Sequence, residues 1–258
     1  MFSPQRFKEG VQEVDQLLRL LKPRGKTVLD LGCGPGRCSV PLAKRGFKVT
    51  GVDRTRFLLQ KGRAHAKRAR VAIEWVQKDM RDFKRPNAYD AAVSLYTSFG
   101  YFDDKNEDRL VLANVFESLR PGGRFFIDLF GKELLAQRLN PVKTDVVDID
   151  DKTVLVRRDE VFDDWTRVRA NWILVREGKS KKYSFHFNSY SGQELKDRLW
   201  DAGFVNVKLH GGFNGCKYGP GALRLIAVAE KPADRPKAKP QPSKKLARQL
   251  PASYHGQP

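Results

Sequence analysis

Residues 30–37 read Asp-Leu-Gly-Cys-Gly-Pro-Gly-Arg, which puts three glycines into five positions directly behind an apolar run. A turn of this kind between a strand and a helix lets backbone approach a ligand closely. The dinucleotide pattern is Gly-x-Gly-x-x-Gly, whereas Gly32, Gly34 and Gly36 close the turn one position early, which argues against a pyrophosphate ligand. Three carboxylates sharpen that argument. Asp30 lies inside an apolar stretch, and burying it unpaired is costly, so it must meet donors from the turn or from a cationic ligand. Asp53 ends the next apolar run, where a carboxylate can accept both hydroxyls of a ribose. Asp79 ends a third, with Met80 beside it, a polar group next to an apolar one as an adenine site requires. Three acidic residues on one rim suit a net-positive ligand better than a pyrophosphate.

The elements that must hold these residues are legible from periodicity. Phe7, Val11, Val14, Leu17, Leu18 and Leu21 recur at three and four and predict an amphipathic helix from Pro4 to Leu21. Strands are predicted at 26–32, 47–53, 72–79, 89–96 and 124–130, with helices between them and a Pro-Gly-Gly turn before the last. Alternation of this length implies an α/β fold, a Rossmann-like, doubly wound and mostly parallel sheet with its ligand rim at the strand-to-helix ends. Between about 142 and 190 the period changes to two in three segments, which predicts an antiparallel β insertion after strand five, close to that rim. Ser191 followed by Glu194 is a capping box opening a helix to Gly203, and two strands close the domain by residue 230. Residues 231–258 are rich in proline and lysine with little to bury, and are expected to form a disordered tail.

With "VLDLGCGPGR", "GVDRT", "KDMRDF" and "SLRPGGRFFIDLF" in this order from about Lys26 to Phe130, the chain resembles the class I S-adenosylmethionine-dependent methyltransferases. The resemblance implies S-adenosylmethionine as cofactor, with Asp53 on the ribose and Asp79 on the adenine amine. Its full implied set is Asp30, Gly32, Cys33, Gly34, Gly36, Asp53, Arg54, Asp79, Met80, Leu95 and Tyr96. The segment "TSFGYF" (97–102) resembles that of small-molecule members, in which the loop after strand four and an antiparallel insertion roof the substrate. Expected substrate contacts are therefore Phe99, Tyr101, Phe102, Arg157, Arg167, Trp172 and Tyr190, with Tyr96 touching both cofactor and substrate. A guanidinium facing inward would grip a carboxylate or phosphate, making an anionic small molecule the expected partner. The alternative for the insertion is a plain sheet, its aromatics buried on one face and its arginines solvated on the other. No catalytic residue is assigned; Tyr96 and His186 are weak candidates for a base, and a displacement needs one only when the nucleophile is protonated.

The formal net charge is +19, of which residues 231–258 contribute +6 and the remainder +13. A field of that sign concentrates polyanions. It keeps open an RNA or other nucleic-acid methyltransferase acting through the basic surface and tail, and a non-catalytic basic binding protein on the same fold. Against the first stands the lack of an Asn/Asp-Pro-Pro-Tyr/Phe motif after strand four and of any recognisable RNA-binding module. A dinucleotide oxidoreductase would need the glycine spacing the turn lacks. Three cysteines, Cys33, Cys38 and Cys216, form no CxxC, so neither a disulfide framework nor a metal site is indicated. No basic-then-apolar leader and no long uncharged apolar run is seen, so a cytoplasmic protein without membrane contact is expected.

Overall fold

The computed structural model describes residues 4–138 and 144–233. The amphipathic helix α1 (Pro4–Leu21) buries Val14, Leu17 and Leu21 completely. Five parallel strands follow with their helices: β1 (Thr27–Leu31), α2 (Ser39–Lys44), β2 (Lys48–Asp53), α3 (Arg56–Ala69), β3 (Glu74–Gln77), β4 (Tyr89–Ser94), α4 (Lys105–Ser118) and β5 (Leu119–Leu129). After α5 (Lys132–Arg138) come four antiparallel strands: β6 (Asp145–Asp150), β7 (Thr153–Phe162), β8 (Arg167–Arg176) and β9 (Lys179–Asn188). The helix α6 (Gly192–Asp201) carries the predicted capping box, and β10 (Val205–His210) and β11 (Leu225–Glu230) end the described chain.

The main sheet runs β10-β11-β5-β4-β1-β2-β3, with β11 antiparallel to both neighbours. Its side chains divide between two cores, as a sheet covered on both faces demands. Leu29 and Leu31 of β1 join Phe125 and Ile127 of β5 on one side, under α4 and α6; Val28 and Phe126 face the other, under α1 and α2. Among the described residues no helix is long and apolar enough to cross a membrane.

Three local expectations are corrected. The Pro-Gly-Gly turn is absorbed into β5: Tyr89 faces Leu119 but Ala91 faces Arg124, so the extra residues bulge out of a strand that starts five positions early. The insertion has four strands rather than three. Residues 145–150, Asp-Val-Val-Asp-Ile-Asp, were not predicted as a strand because aspartate is disfavoured in strands, yet they form the exposed edge β6. The third strand is Glu74–Gln77, shorter than 72–79. Most of the segment expected to be a disordered tail, from residue 234 on, lies outside the described residues.

Candidate functional site

The glycine turn is built by hydrogen bonds that bring β1 and β2 together at their carboxyl ends. Gly32 N and Cys33 N both donate to Val52 O, at 2.8 and 3.0 Å, and Gly34 N donates to Asp53 Oδ2 at 2.9 Å. Asp53 Oδ1 accepts from Thr55 N at 2.8 Å, which fixes the carboxylate between the turn and the start of α3. Gly32 sits at φ +76°, and a Cβ there would come within 2.6 Å of Ser98 Cβ, so the turn packs directly against the loop after β4. Gly36 serves packing instead: a Cβ there would meet the Trp75 ring at 2.7 Å.

A cavity of about 180 Å³, partly open to solvent, lies against this turn. It is lined by Gly32, Val52, Asp53, Arg54, Thr55, Leu58, Lys78, Asp79, Met80, Ser98, Tyr101 and Phe102. Of the residues singled out from sequence, the structure therefore brings Gly32, Asp53, Arg54, Asp79, Met80, Tyr101 and Phe102 to one space. Asp79 is clamped by Arg81, whose Nε and Nη2 donate to its two oxygens at 3.0 Å while Nη1 reaches Glu107 at 2.5 Å. Those hydrogen bonds hold the Asp79 carboxyl below its ordinary range, so it presents a fixed anion to the cavity.

Other candidates lie behind the wall rather than on it. Asp30 is buried beneath the turn and accepts from Ser39 Oγ at 2.5 Å; burial pushes its carboxyl up to about 6. Cys33 and Cys38 are buried thiols whose pKa burial drives far up, which leaves them as packing groups. Leu95 is in the core under α1.

Tyr96 is held from the helical side. Its hydroxyl donates to Glu13 of α1 at 2.6 Å and lies 3.2 Å from Cys38 Sγ. The Arg37 guanidinium stacks 3.6 Å from the centre of its ring and donates to the same Glu13 at 2.7 Å. Burial, with Cys38 and Glu13 adding to it, pushes the Tyr96 phenol far above its ordinary range, so it stays protonated.

The loop after β4 is anchored from below. Tyr96 and Thr97 have φ of +55° and +61°, and both amides donate to Asp128, one to its side chain at 2.8 Å and one to its backbone at 3.0 Å. Asp128, fully buried, is paired with Arg224 at 2.6 Å, and Arg224 also reaches Thr97 Oγ1 at 3.2 Å. Neither Asp128 nor Arg224 was singled out from sequence, and nothing local marks them, because the pair joins β5 to the residue before β11.

The register of the insertion sheet sorts the remaining candidates. Trp172 shares a face with Phe185, Phe187 and Arg157, and the Tyr101 ring touches Phe185 and Phe187 at 6.0 and 5.8 Å between centroids. The cavity wall at Tyr101 is thus continuous with the aromatic face of the insertion. Arg157 lies beside Trp172 on that face, its Nη2 donating to Asp145 at 3.1 Å. Arg167 and His186 point the other way, Arg167 donating to the Asp103 carbonyl and His186 lying 2.7 Å from the Asp103 carboxylate. Phe99 is buried against Tyr190, whose hydroxyl donates to the buried Asp108. These four side chains brace the roof rather than line the cavity.

Residues 28–123 match the family model described as a methyltransferase domain. The cypemycin N-terminal methyltransferase of a Streptomyces species is 35% identical over 104 residues, 40% of this chain and 42% of that protein. Glycine N-methyltransferase of Rattus norvegicus is 33% identical over 126 residues, 43% of each chain. The chain thus spans less than half the length of these curated relatives. A longer match covers 68% of this chain and 66% of the dTDP-3-amino-3,4,6-trideoxy-alpha-D-glucopyranose N,N-dimethyltransferase of Streptomyces venezuelae, at 28% identity. Among solved structures, the CcbJ methyltransferase of Streptomyces caelestis superposes with a TM-score of 0.75 at 21% identity, over 87% of this chain and 90% of that one. The S-adenosylmethionine-bound amino pentose methyltransferase CalS10 of Micromonospora echinaspora gives 0.66 at 20% identity, over 88% and 91%. Residues 28–123 are thus similar to a methyltransferase domain, and the described chain shares the fold of these solved structures.

Proposed function

We propose that this chain is an S-adenosylmethionine-dependent methyltransferase that moves a methyl group by in-line displacement to a small-molecule acceptor. The observation that carries the reading is the convergence of Gly32, Asp53, Asp79 and Met80, from three separate strand ends, on one cavity whose far wall is Tyr101 and Phe102.

The donor set fits the cofactor. Asp53 and Asp79 keep lone pairs beyond those used by backbone and Arg81, so a diol and an exocyclic amine each find an acceptor. Val52, Leu58, Met80 and Phe102 supply the apolar surface that a purine needs. Within this reading Asp53 holds the ribose hydroxyls, Asp79 the adenine amine, and the Gly32 backbone passes close to the sugar. When bound, S-adenosylmethionine supplies a methyl group on a sulfonium sulfur. The chain's task is then alignment, because an in-line displacement gains most of its rate from holding donor and acceptor in register.

On the acceptor side Tyr101 and Phe102, with Trp172 and Phe185 behind them, offer an aromatic wall, and Arg157 the cation for an anionic group. A small-molecule acceptor is supported by two of these relatives, one named for an amino sugar and one for glycine. An amine in its free-base form needs no base from the protein, consistent with the absence of a lining histidine. A cytoplasmic setting belongs to the same proposal. The nucleic-acid alternative rests on charge alone.

Calorimetry with S-adenosylmethionine and S-adenosylhomocysteine, on the natural protein and on Asp53→Ala, with NADH as control, tests the reading. Binding of both nucleosides, weakened at least about 100-fold in Asp53→Ala and absent for NADH, is expected for loss of about 3 kcal/mol. No binding to the natural protein overturns it.

A further inference from the structure

One guanidinium ties together the side chains at the Asp79 end of the cavity. Arg81 donates to Asp79 three times: its backbone N and its Nε both reach Oδ1 at 3.0 Å, and Nη2 reaches Oδ2 at 3.0 Å. The fork is in turn held from two other elements. Nη1 donates to Glu107 in the first turn of α4 at 2.5 Å, and the Arg81 carbonyl accepts from Asn114 Nδ2, further along the same helix, at 2.6 Å. The guanidinium also lies over the Phe102 ring, 4.8 Å from its centre. Asp79 and Phe102 both line the cavity, so Arg81 fixes a polar edge and an apolar wall of the same space at once.

An ionised carboxylate offers about four lone-pair positions and no proton. Arg81 takes both positions on Oδ1 and one on Oδ2, and no other group among the described residues donates to this side chain. A ligand is left one position, on Oδ2. Resting on the reading of Asp79 as the acceptor for the adenine amine, we propose that Arg81 is a specificity-determining positioning residue: by fixing Asp79 as a single, acceptor-only group it makes the site choose a purine with an exocyclic amine over its deaminated counterpart, which carries a carbonyl oxygen at that place. An amine N–H completes the shell of Oδ2. A carbonyl oxygen sets acceptor against acceptor and leaves both unpaired, which is how a polar site rejects a close analogue. Lysine supplies the charge but not the fork. Without the fork the carboxyl turns freely, and its burial, opposed then by the charge of Arg54, favours the neutral form that can donate to a carbonyl. Loss of Arg81 therefore relaxes the choice of base instead of only weakening binding.

Calorimetry with S-adenosylhomocysteine and with S-inosylhomocysteine, its deaminated counterpart, tests the proposal on the natural protein, Arg81→Met, Arg81→Lys and Glu107→Gln, with circular dichroism as the check on folding. The natural protein is expected to prefer the adenosyl compound at least about 100-fold. Arg81→Met should bring the two affinities within about tenfold of each other, and Arg81→Lys should fall between. Glu107→Gln keeps Arg81 and loosens only its anchor on α4, at a partly exposed position, so a smaller shift of the ratio in the same direction is expected. A role confined to folding would weaken both compounds together and leave their ratio unchanged. That result in both Arg81 variants overturns the proposal, as does a natural protein that binds the two compounds alike; should the Arg81 variants fail to fold, an unchanged ratio in Glu107→Gln overturns it. No binding of S-adenosylhomocysteine to the natural protein is a different failure, because it removes the cofactor reading itself.

Discussion

The rim of the main sheet and the face of the insertion above it are both rich in charged side chains, but they are finished to different degrees. At the rim every carboxylate is engaged: Asp30 by Ser39, Asp53 by the Gly34 and Thr55 amides, Asp79 by Arg81, and Asp128 by Arg224 and the Tyr96 amide. In the insertion the carboxylate of Asp159 keeps Oδ1 shielded from solvent without a hydrogen bond of good geometry, as do Arg157 Nε and Trp172 Nε1; at the rim Arg37 Nε and Ser94 Oγ share that condition, but neither is a carboxylate. Groups that are paired before any ligand arrives hold a site rigid, whereas buried groups left unpaired bear a standing cost and await a partner. Under the proposed function the pre-built half is the cofactor's and the unfinished half the acceptor's.

The largest test of that contrast removes one partner of an ion pair on each side. Arg224→Ala strands the fully buried Asp128 without its cation, and a loss of about 3–5 kcal/mol is expected. Arg169→Ala breaks a pair with Glu160 that is about half exposed on both sides, and only about 0–1 kcal/mol should follow. Urea denaturation of the two variants measures the difference, and equal losses would erase it.

Two glycines with the same backbone sharpen it. Gly32 at the rim and Gly178 in the β8–β9 turn have φ of +76° and +75°, but a Cβ at Gly32 meets Ser98 and one at Gly178 meets nothing within 4 Å. Gly178→Ala should cost about 1 kcal/mol, from the left-handed backbone alone. Gly32→Ala adds a clash with the loop after β4 and should cost about 3 kcal/mol together with loss of S-adenosylmethionine binding. Thermal denaturation and calorimetry on both variants decide.

The same contrast explains what could be seen in the sequence. The rim was legible because its chemistry is local: glycines within a turn, and aspartates at the ends of apolar runs whose period announces strands. What holds those residues was not, because it is tertiary. Glu13 reaches Tyr96 across 83 positions and Arg224 reaches Asp128 across 96, and no spacing rule links such pairs. Tyr96 was expected to face the ligand, and its placement under α1 follows from a positive φ that aims it at Glu13. Period two foretold the insertion sheet, but Arg167, expected in the substrate pocket with the aromatics, faces the other way, and β6 was missed. An edge strand with three aspartates looks like a loop until its role as an edge is known.

Asp30 gives a smaller effect with a defined sign. Burial lifts its carboxyl from 3.8 to about 6, so the folded protein holds a proton there that the unfolded chain has released. The stability Asp30 contributes is full below pH 3.8, falls as pH rises from there through about 6, and is level above it, a change on the order of 3 kcal/mol. Asp30→Asn keeps an oxygen for the Ser39 hydroxyl and removes the titration. Its stability relative to the natural protein should therefore rise across that window, and a constant difference would show that Asp30 is not desolvated.

The smallest expected change bears most directly on the acceptor. Asp159 lies on the insertion face beside Trp172 and Arg157, and burial raises its pKa against the pull of Arg157. Burial disfavours the charged form there, so Asp159→Asn should leave the fold slightly more stable at neutral pH, by about 0.5 kcal/mol given its partial exposure. If the group is retained for an acceptor, the same change should raise KM for that acceptor and leave S-adenosylmethionine affinity untouched. A gain in stability joined to a loss of function is the pattern of a residue kept for its ligand. A loss of stability instead would mean that Asp159 is already paired within the sheet, and the insertion would then be as complete as the rim.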